Sequence, residues 1–240
     1  MESNRFYRQN IKAENLIFFR ACVEQTDLYI GAETTLEEKA KSFIKEYRQQ
    51  ITAYIKHHPE FLHSLTPVKP LKIAPPIVVD MCNASALAEV GPMAAVAGAV
   101  SKFVGQRLLE FSNEVIVENG GDIYIKTDRD RTIGIYAGHS PLSGKIAIRI
   151  NKDNTPCGIC TSSGTVGHSL SFGKTDAAVV IHPDTSVADA CATALGNRVK
   201  ASRDIEYALS YINGIPEIRG ALVIIGESIG AIGDIELCRI

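Results

Sequence analysis

The 240-residue chain carries no run of Lys or Arg and a net charge of −2. It has no basic face with which to neutralise a row of phosphates, so no nucleic-acid partner is expected. No apolar stretch is long enough to span a bilayer. The opening residues, MESNRFYRQNIKAENLIFFRAC, are polar from the start and hold no signal-peptide core. These absences lead to the expectation of a cytoplasmic protein with no membrane partner. No internal repeat and no low-complexity tail is visible. The six cysteines (22, 82, 157, 160, 191 and 238) are scattered, mostly in apolar stretches, and read as reduced thiols serving as small core residues. Cys157 and Cys160 form a CxxC, yet no second ligand pair stands at zinc-finger spacing. The pair also enters a strand, whereas a redox CxxC gains its thiolate character at a helix N-terminus.

What is present suits one large or two small globular domains: 45% of residues are hydrophobic and 22% charged. Leu16–Val23 and Leu28–Ile30 flank a turn and predict a hairpin. Thr35 and Glu38 form a capping-box pattern ahead of a long helix with Leu36, Ala40, Phe43, Ile44, Tyr47, Ile51, Tyr54 and Ile55 on one face. His57, His58 and Pro59 end it, and the histidines read as a solvated helix end. Pro67, Pro70, Pro75 and Pro76 mark a stiff connector. Ile77–Met81 then predicts a short strand and Asn83–Val90 a helix. Pro92 suits the first turn of another helix to about Phe111. Along it, Ala94, Gly98 and Lys102 form one row and Ala97, Ser101 and Gly105 the next. That is the spacing of close packing or of close ligand approach. Strands follow at Val115–Val117, Ile123–Thr127, Thr132–Ala137, Lys145–Ile150 and Ala177–Ile181. A helix at Asp204–Tyr211 precedes β-like runs at Ala221–Gly226 and Ala231–Leu237.

Two stretches carry the chemistry. The first is Glu118–Ile123, ENGGDI, where a glycine pair between strands can be a bulge or hairpin corner. That reading leaves the crowding of Glu118, Asn119 and Asp122 around the pair unexplained. The second, Cys160–Asn197, opens on Thr161, Ser162, Ser163, Gly164, Thr165, Gly167, His168, Ser169 and Ser171. Such a loop can turn amides and hydroxyls toward an anion. GHSLSFGKT is no Walker A loop: it has one residue too many between Gly167 and Gly173, and a strand follows Lys174 where that motif needs a helix. The stretch closes on a helix in which Val187, Cys191, Ala194 and Leu195 face the core. Asp189 and Thr193 lie one turn apart on the other side, with Asn197 beyond. One account pairs Ser186 with Asp189 as a capping box and has Thr193 bond back to the preceding turn. The other takes carboxylate and hydroxyl together as hard oxygen ligands for Mg²⁺.

At these residues the chain resembles the ApbE-type FAD:protein FMN transferases, and more closely a shorter, uncharacterised branch of that superfamily. Asn119-Gly120-Gly121-Asp122 is similar to the family's N-x-G-G-D/N turn, Thr161-Ser162-Ser163-Gly164 to its S-T-S-G loop, and Ala188–Ala194 to its A-D-A-x-A-T-A helix. The three stand in the family's order. The family's A-K-G-x-x-x-D segment and its H-I-I-D-P-x-T-G segment are absent.

The resemblance implies an α+β fold of the ApbE-like, T-fold-related type, with antiparallel sheets packed against long helices in one domain over residues 1–240. Within it, residues 1–66 form a hairpin and helix, and residues 77–240 form the body with the site. It implies FAD or FMN, and Mg²⁺, as cofactors. Asp189 and Thr193 would hold the metal. Asn119, Gly120, Gly121, Asp122, Thr161, Ser162, Ser163, Gly164 and His168 would lie against the nucleotide. His168 is the candidate general base or phosphate contact. The expected partners are a small-molecule nucleotide or flavin and an unidentified protein acceptor; homo-oligomer formation is left open. Three functions remain open: Mg²⁺-assisted flavin or phosphoryl transfer, non-catalytic binding of a flavin, pterin or purine nucleotide, and a partner-binding domain with a vestigial site. The missing segments favour the second.

Overall fold

The computed structural model describes Arg8, residues 13–165 and residues 172–240. The chain folds as three layers. The middle layer is an eight-stranded sheet, antiparallel throughout. In spatial order its strands are β1 (Ile17–Val23), β2 (Thr26–Ala32), β3 (Val115–Asn119), β4 (Asp122–Lys126), β7 (Cys157–Ser162), β8 (Ala177–His182), β9 (Gly220–Ile225) and β10 (Ser228–Gly233). One face carries α1 (Glu37–His57), α3 (Pro76–Ala88), α4 (Val96–Leu108), α5 (Thr185–Arg198) and α6 (Ile205–Asn213), with the short α2 (Glu60–His63) behind them. The other face carries a small sheet of β5 (Arg131–Gly134), β6 (Ile146–Ile150) and β11 (Glu236–Arg239), in the order β11-β6-β5.

This sandwiching explains the nearly unbroken apolar strands. Successive side chains in a strand point to opposite faces, so a strand covered on both sides needs apolar residues at every position. Ala178 and Val180 of β8 join the helix-side core, while Ala177, Val179 and Ile181 join the small-sheet core. Cys157 faces the small sheet and Cys160 the helices. The two ends of the CxxC therefore lie on opposite faces of β7, and all six cysteines are free. The hairpin β1–β2 pairs through β2 with β3, and α1 packs on α4, so residues 17–57 share the helix-side core with α3 to α5.

Helix α5 (TSVADACATALGNR) is buried along most of its length, between the sheet and the helices α3 and α4. Its small residues permit that. A Cβ on Gly158 of β7 would stand 2.4 Å from Thr185 Cα, and one on Gly98 of α4 would stand 2.5 Å from the Thr185 carbonyl. The small-residue rows on α4 therefore serve packing: Gly98 admits α5, and Gly105 admits the Tyr124 ring of β4.

Four expectations are corrected. Ile77–Met81 is no strand but the first half of α3, which starts on Pro76 and buries Ile77, Val78, Met81 and Cys82. A short apolar run has the same look in a buried helix as in a strand, and proline at the first helical position was the deciding signal. The Thr35–Glu38 capping box does not form: α1 starts at Glu37 with no side-chain cap, and Glu38 takes Lys41 instead at 3.0 Å. Helix α5 is capped by Asp184, whose Oδ1 accepts the amides of Ser186 (2.9 Å) and Val187 (3.4 Å), so Ser186 and Asp189 make no box. The run Ala231–Leu237 breaks at Gly233, φ +73°, and its two parts join different sheets as β10 and β11. No single helix among the described residues is long and apolar enough to cross a membrane.

Candidate functional site

The glycine turn between β3 and β4 bends through two residues with positive φ, Gly120 at +69° and Gly121 at +106°. Glycine reaches such angles without a Cβ clash. Three side chains of the same stretch tie the turn down in three directions. Glu118 Oε1 accepts the Gly121 amide at 2.9 Å. Asn119 Nδ2 donates to the Ala97 carbonyl at the start of α4, at 3.1 Å. Asp122 Oδ1 accepts the Thr161 amide of β7 at 3.3 Å. The turn, the hydroxyl-rich loop and the first turn of α4 therefore meet at one place.

Asp189 comes to the same place from α5. Its Oδ2 accepts the Gly98 amide at 2.8 Å, and the Ala97 amide also stabilises its charge. These are first-turn amides of α4, which lack partners within that helix and carry its partial positive charge. Asp122 and Asp189 are 7% and 8% exposed. Burial raises the Asp122 carboxyl well above the ordinary range, and the charge of Asp189 raises it further. Burial pushes Asp189 up to about 7. The Cys160 thiol, near Asp122, donates to the Thr185 carbonyl at 3.4 Å, and burial together with both carboxylates holds it in its protonated, unreactive form. Among the described residues no Lys, Arg or His is paired with either carboxylate. Two like charges in a dry place cannot both ionise without an added proton or cation.

The remaining expected residues are placed less uniformly. Thr193 lies one turn beyond Asp189, half-buried, and its hydroxyl has no hydrogen-bond partner among the described residues. It makes no bond back to the preceding turn. Thr161 is half-buried beside Gly121, and Ser162 is buried. Ser163 Oγ accepts the Thr165 amide at 3.1 Å, and Thr165 Oγ1 donates to Asp176 at 3.0 Å, so these two hydroxyls close the loop on itself. The Gly164 amide donates to the Thr175 carbonyl at 2.9 Å, and Asn197 accepts the Phe172 amide at 2.8 Å. Asn197 thus pins the returning limb of the loop. His168, with Gly167, Ser169 and Ser171, lies outside the described residues.

Sequence reasoning missed the Ala97 and Gly98 amides as partners of Asp189, and it missed Glu118 as the strut of the glycine turn. Two surface cavities of about 440 and 210 Å³ share Arg219 and Asp234 at the Cys157 end of β7. Neither is lined by a residue of the turn, the loop or Asp189.

The chain is similar to known proteins over most of its length. A family model described as AbpE bacteria matches residues 8–210. The UPF0280 protein of Methanococcus aeolicus is 46% identical over 201 residues, covering 82% of this chain and 81% of that one. The UPF0280 protein of Methanothrix thermoacetophila is 43% identical over 204 residues, covering 84% and 85%. Among solved structures, the ApbE protein of Thermotoga maritima matches with a TM-score of 0.59 at 14% identity, over 90% of this chain and 96% of that one. The apo flavinyl transferase ApbE of Pseudomonas stutzeri matches at 0.55 and 14%, over 90% and 93%. At such identities the structures speak for the fold, and the α+β, ApbE-like architecture expected from the sequence is the one observed.

Proposed function

The chain belongs to the family described as AbpE bacteria, and from that premise we propose that it binds a flavin or related nucleotide with Mg²⁺ and acts in flavin or phosphoryl transfer. The observation that carries this reading is the buried Asp122–Asp189 pair, set where the glycine turn, the Thr161–Gly164 loop and the start of α4 meet. The donors fit the ion. Carboxylates and the Thr193 hydroxyl, which has no partner among the described residues, are hard oxygen ligands, and Mg²⁺ takes one or two carboxylates while keeping waters and substrate phosphates in its shell. Among the described residues there is no group of three or more His, Cys, Asp or Glu of the kind that builds a closed protein cage. Asp189 and Thr193 would hold the ion, with Asp122 beside them. When bound, it would supply charge neutralisation and Lewis acidity toward a diphosphate. Asn119, Gly120 and Gly121 would lie against the nucleotide on one side and Thr161–Gly164 on the other, and His168 is the proposed general base. FAD is the flavin this arrangement would take, and a protein would accept the FMN moiety.

A second reading, binding without turnover, draws on the internal use of the Ser163 and Thr165 hydroxyls, which leaves fewer loop groups for a reacting phosphate.

Thermal unfolding with FAD, FMN, ADP or GTP, each with and without Mg²⁺, tests the proposal. A ligand at a hundred times its Kd adds about 2.7 kcal/mol to a native state that alone binds it. For a chain of this size that is a midpoint rise of roughly 5–10 °C. The expected result is a Mg²⁺-dependent rise with FAD that Asp189→Asn removes. Conversion of FAD to FMN and AMP, or its transfer to an acceptor peptide, then separates transfer from binding. A midpoint indifferent to every nucleotide would overturn the flavin reading.

A further inference from the structure

Glu118 stands 2% exposed at the end of β3, with one carboxylate oxygen on the Gly121 amide at 2.9 Å. Its other oxygen accepts Arg8 Nε at 2.6 Å, from a residue 110 positions earlier. The rest of that guanidinium is also engaged. Arg8 Nη1 donates to Asp27 Oδ1 at 3.0 Å and Nη2 to the Asp27 carbonyl at 2.8 Å, while the group lies 5.6 Å from the centre of the Tyr29 ring. Tyr29 is the residue of β2 directly opposite Glu118 in the sheet. All three nitrogens are thus bonded in one plane, between the start of β2 and the end of β3. Arg8 itself is 8% exposed.

We propose that Arg8 is a positioning residue for the glycine turn of the site, acting through the Glu118 carboxylate. A buried carboxylate that loses a planar, several-point contact turns toward water or toward its other partners. Either response would weaken its hold on the Gly121 amide, because a hydrogen bond depends on its distance and angle. Gly120 and Gly121 have no side chains, so nothing of their own keeps them at positive φ. Asn119 and Asp122 fix the turn's flanks, toward α4 and β7. Glu118 is the group that reaches inside the turn to a glycine amide, and Arg8 orients it by a planar, several-point contact that a lysine does not reproduce. Among the described residues, the hydrogen bonds and ring contact of Arg8 are with Glu118, Asp27 and Tyr29, none of them expected to meet the ligand. Its influence passes through one carboxylate.

The inference about the ligand rests on the proposed nucleotide reading, whereas the inference about the turn does not, and the test keeps them apart. With ¹⁵N-glycine labelling, amide exchange at Gly121 is compared with that at Gly158 and Gly220, two sheet glycines remote from Arg8, in the full chain without ligand. Arg8→Ala is expected to speed exchange at Gly121 by about tenfold, the equivalent of one hydrogen bond, and to leave the other two unchanged. Arg8→Lys restores the charge without the planar contact and should recover part of the protection. If Arg8→Ala does not fold, Arg8→Lys and Glu118→Gln carry the test, each with selective loss at Gly121. Binding of FAD with Mg²⁺ to Arg8→Ala should weaken by a similar factor. Equal acceleration at all three glycines would make Arg8 a general fold contact, and unchanged protection at Gly121 would remove its hold on the turn. Either result overturns the proposal. Wild-type protein that binds no nucleotide would sink the functional reading alone, and the glycine exchange would still decide this one.

Discussion

The hairpin β3–β4 carries a buried carboxylate at each end, and the two ends are built in opposite ways. At the open end Glu114, 5% exposed, accepts Asn15 Nδ2 at 2.5 Å, Thr127 Oγ1 at 2.5 Å, Arg131 Nη2 at 2.8 Å and the Asp128 amide at 3.1 Å. Burial alone would raise its pKa, but the bonds from Thr127, Arg131 and the Asp128 amide, with the Arg131 charge, outweigh it and hold the group at about 2. At the turn end Asp122, 7% exposed, lies near Asp189 with no cationic side chain among the described residues paired to either, and both carboxyls are raised. All three carboxylates have little exposed surface, but Asp122 and Asp189 lie deeper in the protein than Glu114, and the company differs as well. A carboxylate that the protein has fully satisfied is part of the scaffold. A pair left short of one positive charge is where the chain can take a cation from outside.

Removing each carboxylate tests that contrast, and the largest effect belongs to the scaffold end. Glu114→Ala strips Arg131, Thr127 and Asn15 of their acceptor at once and should cost about 3–5 kcal/mol in denaturant unfolding, the range for breaking a buried ion pair. Asp189→Asn keeps an acceptor for the Gly98 amide and removes an unpaired buried charge. Without metal it should leave stability unchanged or raise it, while abolishing any Mg²⁺-dependent gain. A loss from Asp189→Asn as large as that from Glu114→Ala would make both ends scaffold.

The pH dependence should run in opposite directions at the two ends. The folded pKa of Glu114 lies below its unfolded value. Its contribution, on the order of 3 kcal/mol, is present above about pH 4.5 and lost as pH falls toward 2. Asp189 is raised, so the folded protein without metal holds a proton that the unfolded chain releases. That contribution is present below the unfolded value and is lost as pH rises through about 7. Mg²⁺ competes with that proton, so its affinity should increase across the same interval. Calorimetric titration of Mg²⁺ on either side of about pH 7 would read this as tighter binding and fewer protons released at the higher pH. Affinity that is flat across the interval would mean that the cation sits elsewhere.

The sequence showed the two ends unequally. The hairpin, the apolar face of α1 and the strands around the glycine turn were legible, because local periodicity and turn residues specify them. The expectation that the turn, the loop and Asp189 share one site came from the family resemblance, since no local pattern specifies it. What stayed hidden depends on partners far along the chain. Asp189 was weighed as a cap for its own helix, and it proves to accept amides from α4, 91 residues away. Glu118 was seen to crowd the glycines, but nothing near it in the sequence points to Arg8. The α3 error has a different origin: Ile77-Val78-Val79 has the same look in a strand as in a buried helix, and Pro76 at the first helical position was the local sign that decides it.

A smaller effect probes the seam between the site helices. A Cβ on Gly98 would stand 2.7 Å from Asp189 Cβ as well as 2.5 Å from the Thr185 carbonyl, so Gly98→Ala must push α4 from α5. The backbone carbonyl cannot swing aside, and overpacking of this kind costs about 1–3 kcal/mol. The displaced amide would also release Asp189 and weaken Mg²⁺ binding beyond the loss of stability. At Gly105→Ala the nearest atoms are those of the Tyr124 ring of β4, and this variant offers the control, with a stability loss and no specific effect on the metal.

The smallest effect expected is at the CxxC, and it bears on which parts of β7 are chemically active. Cys157 faces the small-sheet core and Cys160 the helix side, and burial is the main reason both thiols stay protonated, Cys157 up to about 11. Residues three apart on a strand point to opposite faces, and a disulfide requires Cβ vectors that converge. Mild oxidation should therefore leave both as thiols in the folded protein, with an unchanged unfolding midpoint and no 157–160 crosslink by peptide mass. A crosslink formed in the native state would show that β7 leaves its register there, and that would unseat Asp122 too, because the Thr161 amide that it accepts lies on the same strand. Inert thiols would leave the oxygen ligands as the part of this strand pair open to chemistry.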